Sequence, residues 1–318
     1  MRIEKTENTR ARARARPHEP EPGRETASRR RVRIGVSGWR YGPWRKSFYP
    51  EELRQREELS YASRQFGAIE INGTFYSLQR PERFGDWYAC TPPEFRFAVK
   101  GSRYITHMKR LTDIDTPLAN FFASGLLRLD DKLGPLLWQL PPDMRFDAAR
   151  LEHFLSRLPR DFDAAADLAR HHDDRLRSEP WLDYSRNRTL EHALEFRHES
   201  FMCNELVRMA RRHDVALVFS HTDGRWPYVE EITAHFVYVR LHGPGELYAS
   251  NYDARAEELW AERVLAWHSG SEPGNAVRIT ARPPPRRRAR DVWVFFDNTD
   301  KRHAPANARS LMQRLSLV

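Results

Sequence analysis

The sequence of 318 residues contains only two cysteines, Cys90 and Cys203, and neither lies in a CxxC pair. Small secreted proteins usually depend on a framework of several disulfides, and two isolated cysteines do not provide one. We therefore expect the chain to work in a reducing compartment.

Long apolar runs are missing as well. No run approaches the roughly 20 residues needed to span a bilayer. The arginines near the N-terminus are not followed by the apolar segment of a secretory signal. These features predict a cytoplasmic protein without membrane contact. The sequence also has no GxGxxG or P-loop pattern, so nucleotide binding through such a motif is not supported.

The net charge is +9, and it is unevenly distributed. Residues 1–31 contain ten Lys or Arg and five Glu, and residues 269–290 contain six Arg and one Glu. Each segment thus has a surplus of five positive charges, which leaves one net negative charge on the rest of the chain. Their composition predicts a disordered tail at residues 1–31 and a flexible loop insertion at residues 269–290.

The basic tail has two interpretations. It is either a solvated segment or a tether for a nucleic acid or the ribosome. In both cases it would contact polyanions non-specifically through its positive charge. The near-neutral remainder does not indicate an extended nucleic-acid track.

Short β-rich runs alternate with helical patterns along residues 32–318. Eight strands are predicted, at residues 32–39, 68–76, 96–102, 133–140, 190–198, 215–221, 235–243 and 292–298. Helices are predicted at residues 50–65, 81–90, 116–129, 147–158, 199–213, 253–268 and 303–316. The sixth helix is poorly marked, because residues 223–231 are few and include Pro227. Eight such repeats predict an α/β fold, a single-domain (β/α)8 TIM barrel, with a second insertion, helical in pattern, at about 161–188.

Charged residues occupy strand positions that should face the barrel interior. In the second strand Ile69 and Ile71 share one face, while Glu70 and Asn72 share the other. An ionised carboxylate is costly to bury without partners, so Glu70 needs an explanation. Other strands end with polar residues in the same way: Lys100, Gln139, Glu195, Arg197, Arg240, His242, Asp297 and Asn298. Active sites of TIM barrels lie at these C-terminal strand ends, so the pattern predicts a ligand site there.

Seven segments occur in the order found in a known family: residues 34–50, 69–87, 98–107, 136–142, 195–200, 238–243 and 295–308. Together they resemble the YecE-like family, a domain of unknown function. The resemblance covers residues 32–318 apart from the two insertions. It implies a TIM barrel independently of the periodicity, and it assigns no activity. The positions it carries over are Trp39, Glu70, Asn72, Tyr76, Lys100, His107, Gln139, Glu195, Arg197, His198, Arg240, His242 and Asn298. Asp297 departs from the paired asparagines more usual in the last strand.

The main functional hypothesis is an acid–base enzyme, of the hydrolase, isomerase or lyase class, that acts on a small anionic substrate. Lys100, Arg197 and Arg240 would hold a phosphate or carboxylate. Glu70 and Glu195 would exchange protons, with His198 or His242 as a further acid or base. Other contacts to the substrate would come from Trp39, Asn72, Tyr76, His107, Gln139 and Asn298.

Three alternatives remain open. In the first, the charged residues only form a salt-bridged network that orders the strand ends. In the second, the barrel binds a ligand or a nucleic acid without catalysis. In the third, a divalent metal is held by oxygen and nitrogen ligands, as in a metal-dependent hydrolase or a nuclease of the endonuclease IV type. Those ligands would be Glu70, Glu195, His198, His242 and Asp297.

Overall fold

A computed structural model of the chain describes residues 31–243, 251–298 and 302–317. Of the predicted tail, only Arg31 belongs to this set, so the prediction of disorder for the tail lies outside the described residues. Parts of the loops after the seventh and eighth strands, residues 244–250 and 299–301, are outside it too.

Eight parallel strands close into a barrel in sequence order, and the last pairs with the first. They are β1 Val32–Ser37, β2 Ala68–Ile71, β3 Arg96–Lys100, β4 Leu133–Gln139, β5 His192–Glu195, β6 Val215–His221, β7 Phe236–Leu241 and β8 Asp291–Phe296. Each lies within a predicted run or starts one residue before it. The prediction of a TIM barrel is therefore confirmed.

Helices surround the barrel. They are α1 Glu58–Ala62, α2 Gly73–Tyr76, α3 Pro81–Ala89, α4 Asp115–Ala123, α5 Ala148–Arg157, α6 Phe162–Ala169, α7 Asn204–Arg212, α8 Ala254–His268 and α9 Ala304–Arg314. No helix lies between β6 and β7, where residues 222–235 are all described and where the sequence marks the sixth helix only poorly. None of the helices in the described ranges is both long enough and apolar enough to cross a bilayer.

The two insertions differ in structure. Residues 161–188 contain α6 and then an irregular segment, so the excursion is helical only in its first third. Residues 269–290 contain neither helix nor strand, in agreement with the consecutive prolines.

The barrel interior is apolar below its C-terminal end. Strand residues of one parity face the lumen, where small side chains from β2 to β6 leave room for aromatic rings from β7 and β8. The buried lumen cluster is Ala68, Ala98, Leu137, Ala193, Ala216, Val218, Ala234, Phe236, Tyr238, Trp293 and Phe295. Residues of the other parity, such as Ile69 and Ile71, join the larger core beneath the helices. This apolar cluster is the floor of the barrel, and the polar residues lie above it, towards the C-terminal ends of the strands.

Candidate functional site

Every strand contributes one polar residue to a ring above the apolar floor. Strand register places neighbours level with each other: Ser37 beside Glu70, Gln139 beside Glu195, and Ser220 beside Arg240. The full ring is Ser37, Glu70, Lys100, Gln139, Glu195, Ser220, Arg240 and Asp297. All eight lie at or just after the C-terminal ends of their strands, so the predicted gathering of polar side chains is present.

Arg240 is the centre of this polar ring and is 1% exposed. Its Nε and Nη2 donate to the two oxygens of Glu70 at 3.0 and 2.9 Å. Its Nη1 donates to Glu195 Oε2 at 2.7 Å, and its Nη2 also donates to Asp297 Oδ2 at 2.6 Å. All three guanidinium nitrogens are therefore engaged by carboxylates, which leaves Arg240 little capacity to bind a substrate anion.

The two buried glutamates are held in the ionised form. Burial alone would raise the pKa of Glu70. The charges of Arg240 and Lys100 lower it, and so do hydrogen bonds from Ser37 and Tyr238. The lowering effects are larger in sum, so the pKa of Glu70 is below its usual range. Burial likewise raises the pKa of Glu195, and the neighbouring arginines lower it well below normal. Carboxylates with such low pKa values are weak bases near neutral pH.

Lys100 differs from the other cations of the ring. It is 8% exposed, and its Nζ lies 4.2 Å from the centre of the Phe75 ring. Within the described ranges, Nζ has no hydrogen-bond or ion-pair partner. Burial lowers the pKa of Lys100 to about 7, and Arg240 lowers it too, while Glu70 and Glu195 oppose the shift. A buried amine that is half protonated near neutral pH is suited to exchange protons.

His107 and Gln139 lie beside Lys100. The His107 ring meets the Phe75 ring edge-on at 5.1 Å, and its Nε2 is 3.5 Å from Gln139 Nε2. Burial and the charges of Lys100 and Arg197 lower the pKa of His107 to about 4. His107 is thus a neutral imidazole at physiological pH and adds no further positive charge near Lys100.

Two more predicted residues form the rim. Arg197 donates through Nε and Nη2 to Glu195 Oε1 at 2.8 and 2.7 Å, and it stacks on the Trp226 ring at 4.1 Å. His242 Nε2 lies 3.4 Å from Arg240 Nη1. Both side chains are partly exposed, so they border the polar ring on its solvent side.

Two predicted residues point away from this group. His198 accepts a hydrogen bond from the backbone N–H of Ser200 at 3.1 Å and caps the short turn Glu199–Phe201. The Asn298 side chain donates to Asn307 Oδ1 in α9 at 3.1 Å. The described contacts do not bring either side chain into the ring.

A cavity of about 710 Å³ opens beside the ring, between the segment after β1 and helix α3. Trp39, Asn72 and Tyr76 line it, together with Trp87, Arg40, Arg56 and Arg83. Glu70, Lys100 and Arg240 are not among the residues that line this cavity, but Asn72 connects the cavity to the polar ring. The Asn72 Nδ2 donates to Ser37 Oγ at 2.9 Å, and Ser37 in turn donates to Glu70.

Helix α2 connects the cavity to Lys100 as well. Phe75 contacts Lys100 and His107, and the next residue, Tyr76, is 69% exposed at the cavity wall. The Asn72 Oδ1 is buried and accepts no hydrogen bond from any residue the structure describes. It is therefore an acceptor that a ligand donor in the cavity would satisfy.

Metal ligation is not favoured by this geometry. In residues 31–243, 251–298 and 302–317, no three His, Cys, Asp or Glu side chains are grouped so as to hold a metal ion. Glu70, Glu195 and Asp297 surround the Arg240 guanidinium, where a second cation would be repelled. His198 lies apart from them.

Sequence reasoning missed four residues that shape the ring: Ser37, Ser220, Tyr238 and Phe75. Counting back by two from Arg240 would have placed Tyr238 in the lumen, and the same alternation within β1 and β6 would have placed Ser37 and Ser220 there. Phe75 follows β2 in a short helix, where parity no longer applies, and no sequence signal indicated its contact with Lys100.

The family model described as "Protein of unknown function DUF72" matches residues 33–318. The chain belongs to the DUF72 family. The curated protein YecE of Escherichia coli K12 is 25% identical to it over 246 residues, which cover 76% of this chain and 84% of YecE. The protein YunF of Bacillus subtilis is 28% identical over 116 residues, covering 35% of this chain and 40% of YunF.

Solved DUF72 structures share the fold. A DUF72 protein from Thermotoga maritima superposes with a TM-score of 0.65 at 24% identity, covering 90% of this chain and 99% of that one. A second DUF72 protein, from Enterococcus faecalis, gives a TM-score of 0.60 at 17% identity, covering 91% and 99%. The predicted resemblance to the YecE-like family is therefore confirmed, and these neighbours agree with the TIM barrel.

Proposed function

We propose that this DUF72 protein is an enzyme that transfers protons on a small substrate bearing a phosphate or carboxylate, with Lys100 as the group that takes up and gives up the proton. The reaction class that fits is an isomerisation or an elimination. The observation that carries the proposal is the Lys100 amine, which is buried at the mouth of the barrel without a hydrogen-bond partner among the described residues.

A buried amine without a hydrogen-bond partner is costly, and a ligand that accepts its hydrogen bonds would offset that cost. The two glutamates below it are fixed by Arg240 and supply negative charge without competing for the proton. We therefore assign Glu70 and Glu195 an electrostatic and positioning role in this reaction. Their predicted role as proton-exchanging groups stays a prediction.

The anionic part of the substrate would lie between Lys100 and Arg197. Arg197 uses Nε and Nη2 for Glu195, and its stacking on Trp226 holds the guanidinium plane in one orientation. The remainder of the substrate would extend past Tyr76 towards the cavity lined by Trp39 and Asn72. The cavity volume of about 710 Å³ is in the range of small-molecule sites.

The test begins with ligand binding. The full chain is screened by thermal shift against inorganic phosphate, sugar phosphates and small carboxylic acids. A ligand present at 100 times its Kd stabilises the protein by about 2.7 kcal/mol. We expect at least one such compound to raise the Tm of the wild type. Lys100→Met should lose this response, and Lys109→Met, the same change at a more exposed lysine, should keep it.

Proton transfer is then measured directly. The compound that binds is incubated with the protein in D2O, and deuterium uptake at its carbon atoms is followed by NMR. The proposal expects uptake with the wild type and Lys109→Met and none with Lys100→Met. Binding without uptake or conversion would instead identify a non-catalytic ligand-binding barrel, and uptake that survives Lys100→Met would refute the role of Lys100.

A further inference from the structure

The cavity beside the polar ring has a wall of aromatic side chains. Trp39 follows β1 and Trp87 lies in α3, and their rings meet edge to face with centroids 5.4 Å apart. Both indoles line the cavity and are otherwise buried. The ring of Tyr76, the last residue of α2, is 69% exposed at the same cavity. Aromatic side chains with accessible faces bind flat rings by stacking, so this wall favours a ligand that contains one.

A buried hydrogen-bond acceptor lies in the same cavity. The Asn72 side chain donates through Nδ2 to Ser37 Oγ at 2.9 Å, which holds the amide in place. Its Oδ1 is buried and receives no donor from the described residues. An unsatisfied buried acceptor costs free energy, and a ligand with an N–H donor would remove that cost. A flat ring that carries an N–H donor at its edge is a nucleobase or a closely related heterocycle.

The cavity also carries uncompensated positive charge. Three exposed arginines line it, Arg40, Arg56 and Arg83, and Asp86 is the one acidic residue among the described lining residues, which leaves a surplus of two positive charges. Arg83 donates to a neutral glutamine amide at 2.8 Å, and Arg56 has the carboxylate of Glu57 at 4.0 Å. Guanidinium groups bind phosphate oxygens through paired hydrogen bonds, so these arginines favour a ligand that carries phosphate.

We propose that the part of the substrate that does not react is a nucleotide, with its base against the aromatic wall and its phosphates at Arg40, Arg56 and Arg83. This inference rests on the proposed function, which places the reacting end of the substrate at Lys100. The sequence has no P-loop, and the three arginines supply instead the positive charge that phosphates need. The cavity volume of about 710 Å³ lies within the range of small-molecule sites and accommodates a base and its ribose.

Isothermal titration calorimetry with the full chain tests the nucleotide site. The probes are the 5′-diphosphates of adenosine, guanosine, cytidine and uridine, the four nucleosides, and inorganic pyrophosphate. The rim variant carries Arg40→Gln, Arg56→Gln and Arg83→Gln. The control variant has the same change in net charge at three exposed arginines that do not line the cavity: Arg186, Arg208 and Arg282.

We expect at least one diphosphate to bind the wild type about tenfold more tightly than its nucleoside and than pyrophosphate. The rim variant should bind this diphosphate at least about tenfold more weakly and its nucleoside within about threefold of wild type. The control variant should bind both within about threefold of wild type. Tyr76→Ala should weaken both by about fivefold or more, and Tyr76→Phe, which keeps the ring, should restore them.

The failure of this inference is distinguishable from the failure of the proposed function. A wild type that binds none of the four diphosphates would overturn the nucleotide site, and so would equal losses in the rim and control variants. Binding that is lost in Lys100→Met and kept in the rim variant would also overturn it, because the phosphates would then lie at Lys100. Diphosphate binding that needs the rim arginines and persists in Lys100→Met would support the site, even where the D2O experiment shows no proton transfer.

Discussion

Replacing Lys100 with Met should stabilise the protein at low pH. The pKa of Lys100 falls from 10.5 to about 7 on folding, and desolvation is the main cause. Below pH 7 the amine is charged in both the folded and the unfolded chain, so the folded state carries the whole cost of burying the charge. At about 1.4 kcal/mol per pKa unit, that cost has a ceiling of roughly 5 kcal/mol, and we expect about 2–4 kcal/mol.

The sign of the pH dependence follows from proton counting. Between pH 7 and 10.5 the unfolded chain binds the lysine proton and the folded chain does not, so the wild type gains stability as the pH rises. Lys100→Met lacks this gain, because methionine does not titrate. Its advantage over the wild type should therefore be largest at pH 6 and should shrink steadily towards pH 10.

Urea unfolding followed by far-UV circular dichroism at pH 6, 8 and 10 measures this difference. Lys109→Met is the matched control, since its side chain is 32% exposed beside Asp113. The Lys109→Met substitution should alter the free energy of unfolding by less than about 0.5 kcal/mol at each pH. A Lys100→Met variant that is less stable than the wild type at pH 6, or a difference that does not change with pH, would show that burying the charged amine does not destabilise the fold.

Three further substitutions test the network around Arg240 and a separate pH effect. Arg240→Met should lower the free energy of unfolding in urea by about 3–5 kcal/mol, because it leaves Glu70 and Glu195 buried without their cation. Adding Glu70→Gln and Glu195→Gln to this variant should recover most of that loss. Tyr238→Phe removes a 2.7 Å hydrogen bond to Glu70 and should cost about 1.5–3 kcal/mol, measured in the same way. Burial lowers the pKa of His235, but hydrogen bonds to Asp214 and Glu191 raise it to about 9. The stabilisation of the folded protein by protonated His235 is therefore complete below pH 6.5 and is lost as the pH rises through 9. His235→Gln should therefore cost about 2 kcal/mol at pH 6 and almost nothing at pH 10; an equal loss at both would contradict the assignment.

The strand pattern predicted the barrel and much of the ring because both follow from a period of two. Once Ile69 and Ile71 face the helices, Glu70 must face the lumen, and the same alternation places Lys100, Glu195 and Arg240 there. These placements need only local information, which a single sequence contains.

Pairing across the lumen could not be derived in this way. The sequence alone does not decide whether Glu70 pairs with Lys100, Arg197 or Arg240. The choice of Arg240 depends on barrel radius and side-chain reach. The unpaired state of Lys100 is a consequence of that choice, since Arg240 takes up both glutamates. His198 and Asn298 lie beyond the strand ends, where alternation no longer fixes direction, and they turn towards a helix cap and α9 instead.

The pKa of the Lys100 amine is the most direct test of the proposed chemistry. Protein labelled with 13C at the lysine ε-carbon is titrated from pH 5 to 11 and followed by NMR, and Lys100→Met identifies the resonance. We expect a midpoint at about 7 for this signal, because burial disfavours the charged amine. A midpoint near 10.5, the ordinary value for lysine, would contradict it.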